Sequence, residues 1–375
     1  MSSPLTASSP AGFVTKRTFR LPIHATEGGR IIKDVRVGYE TWGRLNAAGD
    51  NAIFIAHYYS GTSHAAGLYA ADDAAPGYWD AIIGPGRAID TDRFFVVSAD
   101  TLCNINVHDP HVITTGPASI DPDTGKPYGM CFPTVTLGDS VRVHKALIDS
   151  LGITKLHAVA GASGGSNQAM EWAVQFPDLV ERVVHVIGPG FSISPWVIAL
   201  LDAWVLPVRM DARWNNGDYY EGEPPVTGVA EALKTVLLTA RHWDWAQNNF
   251  GYRLADSAKA PIDSFDHLFL IQEAFAQHGA TASKLVDGNH MIYMARANQL
   301  YNVEDRIDRI KARILFMPAA TDLVFPPAFA LAAAEKFRGI GGVAQEFILQ
   351  GDGGHLDGVF AIAQAAPVIR AFIEG

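Results

Sequence analysis

Gly161-Ala162-Ser163-Gly164-Gly165 is the stretch that decides how this chain is read. The apolar run Leu156-His157-Ala158-Val159-Ala160 precedes it, and Asn167-Gln168-Ala169-Met170-Glu171-Trp172-Ala173, of helical character, follows. Strand, G-x-S-x-G and helix in that order predict a sharp turn with the serine at its apex in strained backbone geometry. The flanking positions must be small because strand and helix backbones crowd there. A serine so placed is open to a ligand, and the N–H after it points toward any oxyanion formed on it.

Working outward, Thr18–Leu21 and Asp34–Glu40 read as two early strands joined by a turn at Gly28-Gly29. Asn51–Ala56 and Arg93–Ser98 are short apolar runs of the kind found in buried parallel strands. A long aperiodic loop, Thr101–Pro133, leads to a helix over Thr136–Leu151 stopped by Gly152. After the serine turn come a helix to Phe176-Pro177 and a strand over Arg182–Ile187. Strands alternating with helices predict an α/β fold, a mostly parallel central sheet with helices on both faces, where ligands gather at the carboxyl ends of strands. From Phe191 the pattern becomes helical, with periodic segments at Pro195–Val205, Val229–Ala240 and Phe265–Phe275. Strands resume at Arg313–Pro318 and Gln345–Leu349, and a last helix is expected over Val359–Ile373. The expected organisation is a disordered tail (residues 1–12), a core (13–190 and 306–375) and an inserted helical lid (191–305).

The 375 residues carry a net charge of −10, which argues against a nucleic-acid partner and offers no polybasic membrane patch. No apolar run approaches the length of a membrane span, and the N-terminus lacks the apolar core of a signal peptide. Two cysteines, Cys103 and Cys131, make a disulfide framework or a cysteine metal site improbable. The expectation is a cytoplasmic enzyme.

A serine hydroxyl needs a base to take its proton, and the base needs an orienting acid. In this arrangement the order along the chain is Ser, Asp or Glu, then His, the later two in loops after strands. Asp322 follows the strand ending near Met317, and His355 follows the glycine run Gly351-Asp352-Gly353-Gly354. Both positions meet the requirement. The oxyanion donors are expected to be the N–H groups of Gly164 and of Tyr59, in the loop His57-Tyr58-Tyr59-Ser60-Gly61 after an early strand. His108 and His111 have metal-like spacing but no acidic or cysteine partner, and Gly84-Pro85-Gly86 opens no helix, so neither is a site. Trp196, Trp204, Trp214, Trp243 and Trp245 are candidates for an acyl pocket or for packing within the insertion. No metal or redox cofactor is required by this chemistry.

These blocks resemble the homoserine O-acetyltransferase family of α/β-hydrolases, from about Phe19 to Phe372. The resemblance is carried by His57–Gly67, Gly77–Asp92, Thr115–Pro133, Gly161–Trp172, Thr321–Pro327 and Gly354-His355. It implies Ser163 as nucleophile, Asp322 as acid, His355 as base, a helical lid over the site and a homodimer built on lid helices. The sequence also departs from the family. The acidic residue that follows the base, expected to hold a substrate ammonium, is Leu356 here. An Ala-Arg pair expected to meet the substrate carboxylate aligns with Ala232-Leu233. A following Tyr-Arg-Ser aligns with Ala240-Arg241-His242, which keeps only the arginine.

A zwitterion entering a covered pocket needs partners for both charges. Two leucines in place of an acid and an arginine leave an apolar wall, so the expected function is hydrolysis of short, uncharged acyl esters, with Tyr58, Leu356 and Arg241 as substrate contacts. The alternative is acetyl transfer from acetyl-CoA to L-homoserine. A non-catalytic binding protein of the same fold is disfavoured by the complete set of Ser163, Asp322 and His355.

Overall fold

The computed structural model describes residues 8–375. Its frame is a sheet whose strands are β1 (Arg17–Ala25), β2 (Ile31–Trp42), β3 (Ala52–Ala56), β6 (Phe95–Ala99), β7 (Leu156–Ala162), β8 (Arg182–Val186), β9 (Arg313–Met317) and β10 (Ala344–Glu346). Their spatial order is β1-β2-β6-β3-β7-β8-β9-β10, and only β2 runs against the others. A separate short pair, β4 (Ile83–Gly84) and β5 (Ile89–Asp90), lies in the connection from β3 to β6.

Alternation along β3 builds two cores. Ala52, Phe54 and Ala56 face one side, where Phe54 meets Trp172 of α2 (Gly164–Gln175) and the sheet is covered by α1 (Leu137–Ser150). Ile53 and Ile55 face the other, with Trp79, Leu315 and Phe372. Fully burying each of the Phe, Ile and Leu side chains among these stabilises the fold by roughly 1.5–3 kcal/mol. Thr136 and Asp139 cap α1 reciprocally: Thr136 Oγ1 accepts from Asp139 N at 3.0 Å and Asp139 Oδ2 accepts from Thr136 N at 2.8 Å. A cap of this kind is worth about 1 kcal/mol.

Between β8 and β9 the chain forms α3 (Pro195–Met210), α4 (Val226–Ala240), α5 (Trp243–Asn249), α6 (Leu270–Ala282) and α7 (Gly288–Gln299). After β9 come α8 (Pro327–Gly339), α9 (Asp357–Phe360) and α10 (Ala366–Glu374). Among the described residues no single helix is long and apolar enough to cross a membrane.

Several expected elements differ. Both early strands are longer, because Pro22 sits harmlessly in an edge strand that pairs on through Ile23↔Lys33. The helix expected over Phe265–Phe275 begins only at Leu270, where the side chain of Gln272 accepts from Phe269 N. The last helix is not continuous over Val359–Ile373. It breaks into α9, a 3-10 turn over Ile362–Ala365 and α10, whose first turn holds Pro367. Proline lacks an N–H and suits a helix start, not its interior. The last strand is Ala344–Glu346, although Phe347 N and Leu349 N still donate to Phe316 O and Pro318 O. Residues 1–7 of the expected disordered tail lie outside the described residues; the remainder is tied down, with Leu68 N donating to Gly12 O at 3.0 Å.

Candidate active site

Ser163 sits between β7 and α2 with φ 55° and ψ −120°, a conformation that costs a non-glycine residue about 1–3 kcal/mol. The turn closes because its neighbours lack a Cβ. A Cβ on Gly161 would lie 2.3 Å from the Gly165 carbonyl, and one on Gly165 would lie 2.1 Å from Ala56 O. Ser163 N donates to Val186 O at 2.9 Å, pinning the turn to the end of β8.

Asp322 and His355 reach Ser163 from the loops after β9 and β10. Ser163 Oγ donates to His355 Nε2 at 2.8 Å, and His355 Nδ1 donates to Asp322 Oδ2 at 2.7 Å. The other oxygen of Asp322 accepts from Val324 N and Phe325 N at 2.8 and 2.9 Å, so its carboxylate is fixed in plane and direction. Thr321 Oγ1 donates to Gly351 O and accepts from Gly354 N, tying the two loops together. All three groups are largely buried: Ser163 is 9%, Asp322 3% and His355 5% exposed. The structure thus brings the three expected residues into one hydrogen-bonded line.

The N–H of Tyr59 stands beside Gly164, 3.6 Å from where a Gly164 Cβ would be. It has no acceptor among the described residues. Gly164 N is the first N–H of α2, which no preceding helical turn can satisfy. Two unclaimed donors therefore converge next to Ser163. Tyr59 is held at its far end by its hydroxyl, which donates to Met291 O at 2.9 Å.

Sequence reasoning missed the residue that sets the Tyr58-Tyr59 loop. His57 is fully buried; its Nδ1 donates to Tyr58 O at 2.8 Å and its Nε2 accepts from Thr101 N at 3.1 Å. Burial lowers its pKa and keeps the ring neutral. Its position directly after β3 was the available signal.

One space touches the serine, and a second is lined by Tyr58 and Leu356, the chain neighbours of Tyr59 and His355. The first is small, about 10 Å³ and so roughly the room of one water, and is lined by Ser163, Tyr59, Ile193, Leu201, Trp204, Asn298 and Phe325. The second, a larger cavity of about 490 Å³, is lined by Tyr58, Ser60, Asn106, Leu233, Arg241, His278, Leu356 and Phe360, among others. Tyr58, Leu356 and Arg241 are thus brought to one wall system, together with Leu233. Burial raises the Tyr58 phenol to about 12, so it stays protonated. Burial and the nearby Arg241 charge both lower the pKa of His278. Trp204 faces the small space, Trp245 the large one, and Trp196 and Trp243 a neighbouring cavity of about 390 Å³. Trp214 instead donates to Asn289 in the inserted helices. His111 stacks on Tyr69 at 3.8 Å, and among the described residues no cluster of metal-ligating groups is found.

A family model of the alpha/beta hydrolase fold matches residues 115–361. Homoserine O-acetyltransferase of Methanococcoides burtonii is 38% identical over 80% of this chain, which spans 61% of that protein's length. The crystal structure of homoserine O-acetyltransferase from Bacillus anthracis superposes with a TM-score of 0.91 at 34% identity, covering 97% of this chain and 98% of that one. This chain belongs to the homoserine O-acetyltransferase family of α/β-hydrolases. The crystal structure of esterase E22 is also similar, at 45% identity and a TM-score of 0.91, covering 96% of this chain and 100% of that one. Family members are acyltransferase or hydrolase enzymes, and so is this chain.

The expected assignment as a hydrolase of uncharged esters is corrected by the Methanococcoides burtonii relative and the Bacillus anthracis structure, both of which are named homoserine O-acetyltransferase. The physical reason lies in the cavity wall. The expectation rested on an apolar surface made by Leu233 and Leu356, whereas the guanidinium of Arg241 stands in the same wall.

Proposed function

We propose that this protein transfers an acetyl group from acetyl-CoA to the hydroxyl of L-homoserine through an acyl-enzyme on Ser163. The observation that carries the reading is a cation, Arg241, lining the cavity whose wall also holds Leu356, the residue after His355 of the Ser163-His355-Asp322 line. It gives an acceptor carboxylate a partner, where an esterase pocket for neutral alcohols needs none.

In the first half-reaction His355 Nε2 takes the Ser163 proton as Oγ attacks the thioester carbonyl. The charge moves onto the carbonyl oxygen, where Tyr59 N–H and Gly164 N–H receive it. Collapse expels the thiolate, which leaves with the proton from His355. Asp322 holds the ring in the tautomer that presents a lone pair to Ser163 and offsets the charge of the imidazolium. In the second half-reaction His355 takes the proton of the acceptor hydroxyl, the alkoxide attacks the acyl carbon, and Ser163 departs with that proton. The small space beside Ser163 suits an acetyl group and crowds longer chains. Transfer in place of hydrolysis requires that the acceptor displace water from the larger cavity.

The reading includes a cytoplasmic location and a homodimer through the inserted helices, supported by exposed Trp196, Leu206, Met210 and Leu238 on α3 and α4. Light scattering coupled to size exclusion tests the dimer. The activity is tested by following thiol release from acetyl-CoA with and without L-homoserine, with Ser163→Ala as blank. Serine-dependent release that rises with homoserine is expected. Release at one rate whether or not homoserine is present refutes the proposal.

A further inference from the structure

The larger cavity holds one fixed cation and no fixed anion. Among the residues that line it there is no Asp or Glu. Arg241 lies over the Trp245 ring at 4.3 Å and near the Phe360 ring at 5.7 Å, so two aromatic rings attract and hold the guanidinium. Its Nε is buried and has no hydrogen-bond partner, and among the described residues no carboxylate comes within ion-pairing distance of it. Two acids act on Arg241 by charge without pairing with it, Asp357 more than Asp352, and neither lines the cavity; one Asp357 oxygen is itself buried without a hydrogen-bond partner. Asp352 accepts from Asn248 Nδ2 at 2.8 Å. Asp357 packs under its own loop, where a Cβ on Gly351 or Gly353 would stand 2.5 or 2.4 Å from its oxygens. A planar fork with a free donor is the complement of a carboxylate. The remaining polar groups of the wall, Tyr58, Ser60, Asn106 and His278, include no acid and suit a hydroxyl as well as an N–H.

We propose that this cavity recognises the carboxylate of its acceptor and not the ammonium, so that its substrate class is the short hydroxy acid. Homoserine is then one member of that class, whose amino group adds little. This deepens the acyl-transfer reading and rests on it for the chemistry. Leu356 meets the acceptor where a carboxylate would be needed to hold an ammonium, and an ammonium brought there loses water without gaining a charge partner.

The test compares L-homoserine, 4-hydroxybutyrate (which lacks the amino group) and 3-aminopropan-1-ol (which lacks the carboxylate) as acceptors from acetyl-CoA. Each is also measured as an inhibitor of p-nitrophenyl acetate cleavage. The expected kcat/KM for 4-hydroxybutyrate is within about threefold of that for homoserine, and 3-aminopropan-1-ol falls at least about thirtyfold lower, each factor of ten being 1.4 kcal/mol. Arg241→Gln is expected to bring 4-hydroxybutyrate down to the level of the amino alcohol. Homoserine exceeding 4-hydroxybutyrate by about thirtyfold or more overturns the proposal. If no hydroxyl compound speeds thiol release, the transfer reading fails and inhibition decides the recognition. Tighter inhibition of the unmodified protein by 4-hydroxybutyrate than by 3-aminopropan-1-ol then sustains it, and equal or weaker inhibition overturns it.

Discussion

His185 makes the stability of this protein sensitive to mild acid. It lies in β8, in the middle of the sheet, with no exposed surface and with neither ring nitrogen hydrogen-bonded to another group. Its ring packs on Phe316 at 5.1 Å between centroids. Burial lowers its pKa from 6.5 to about 3. A base whose folded pKa is depressed contributes stability that is fully present above the unfolded pKa and is lost as pH falls toward the folded one. At about 1.4 kcal/mol per unit the whole loss is about 5 kcal/mol, and by linkage about 2 kcal/mol of it is gone at about pH 5 relative to about pH 8. His144, lowered to about 4 by burial in α1, adds a loss of similar size over the same window. Replacing His185 by Leu removes its titration. Urea unfolding at the two pH values gives the change in stability for each protein, and any packing cost of the substitution cancels in that difference. The His185→Leu protein is expected to lose about 2 kcal/mol less between about pH 8 and about pH 5 than the parent. Equal losses in the two proteins refute the reasoning and mean that the buried ring is protonated without penalty.

Three further outcomes follow from the site. Asp322→Asn leaves an amide where His355 Nδ1 now donates, and is expected to lower kcat by on the order of a thousandfold or more, with the fold intact by circular dichroism; a loss under tenfold removes Asp322 from the mechanism. Trp204→Ala opens the small space beside Ser163, where the indole packs edge-on to Tyr59 at 5.3 Å. It is expected to raise the butyryl-to-acetyl ratio of thioester kcat/KM about tenfold at a stability cost of about 3 kcal/mol, and an unchanged ratio means that the acyl chain lies elsewhere. Leu356→Asp adds a carboxylate to the larger cavity and is expected to shift preference from 4-hydroxybutyrate toward homoserine by about tenfold; competition between the two acceptors measures it, and no shift means that residue 356 does not meet the amino group.

The line from Ser163 through His355 to Asp322 was legible because each residue lies at a strand end with small neighbours, a local signature. The sheet was legible for the same reason: β3, β6, β7, β8 and β9 are short apolar runs, buried on both faces. The inserted helices were less so. In α7 nearly every side chain is buried, including Asn289, His290 and Asn298, so no polar face marks a helical period. Helix α5 has seven residues, too few to show one. What sequence hid most completely was the direction of Arg241. Its neighbours say nothing of whether it meets solvent or the cavity, because that is decided by Trp245 and Phe360, one of them 119 positions away along the chain (360 − 241).

Ser163 and His355 touch across 192 positions of sequence, with the whole helical insertion made between them. A chain interrupted during synthesis at any point before His355 therefore carries the strained serine without its base. In such a chain no imidazole stands at 2.8 Å to take the Ser163 proton. Reactivity is withheld until the sheet has added its β9 and β10 edge, so assembly itself acts as the safety catch on the nucleophile.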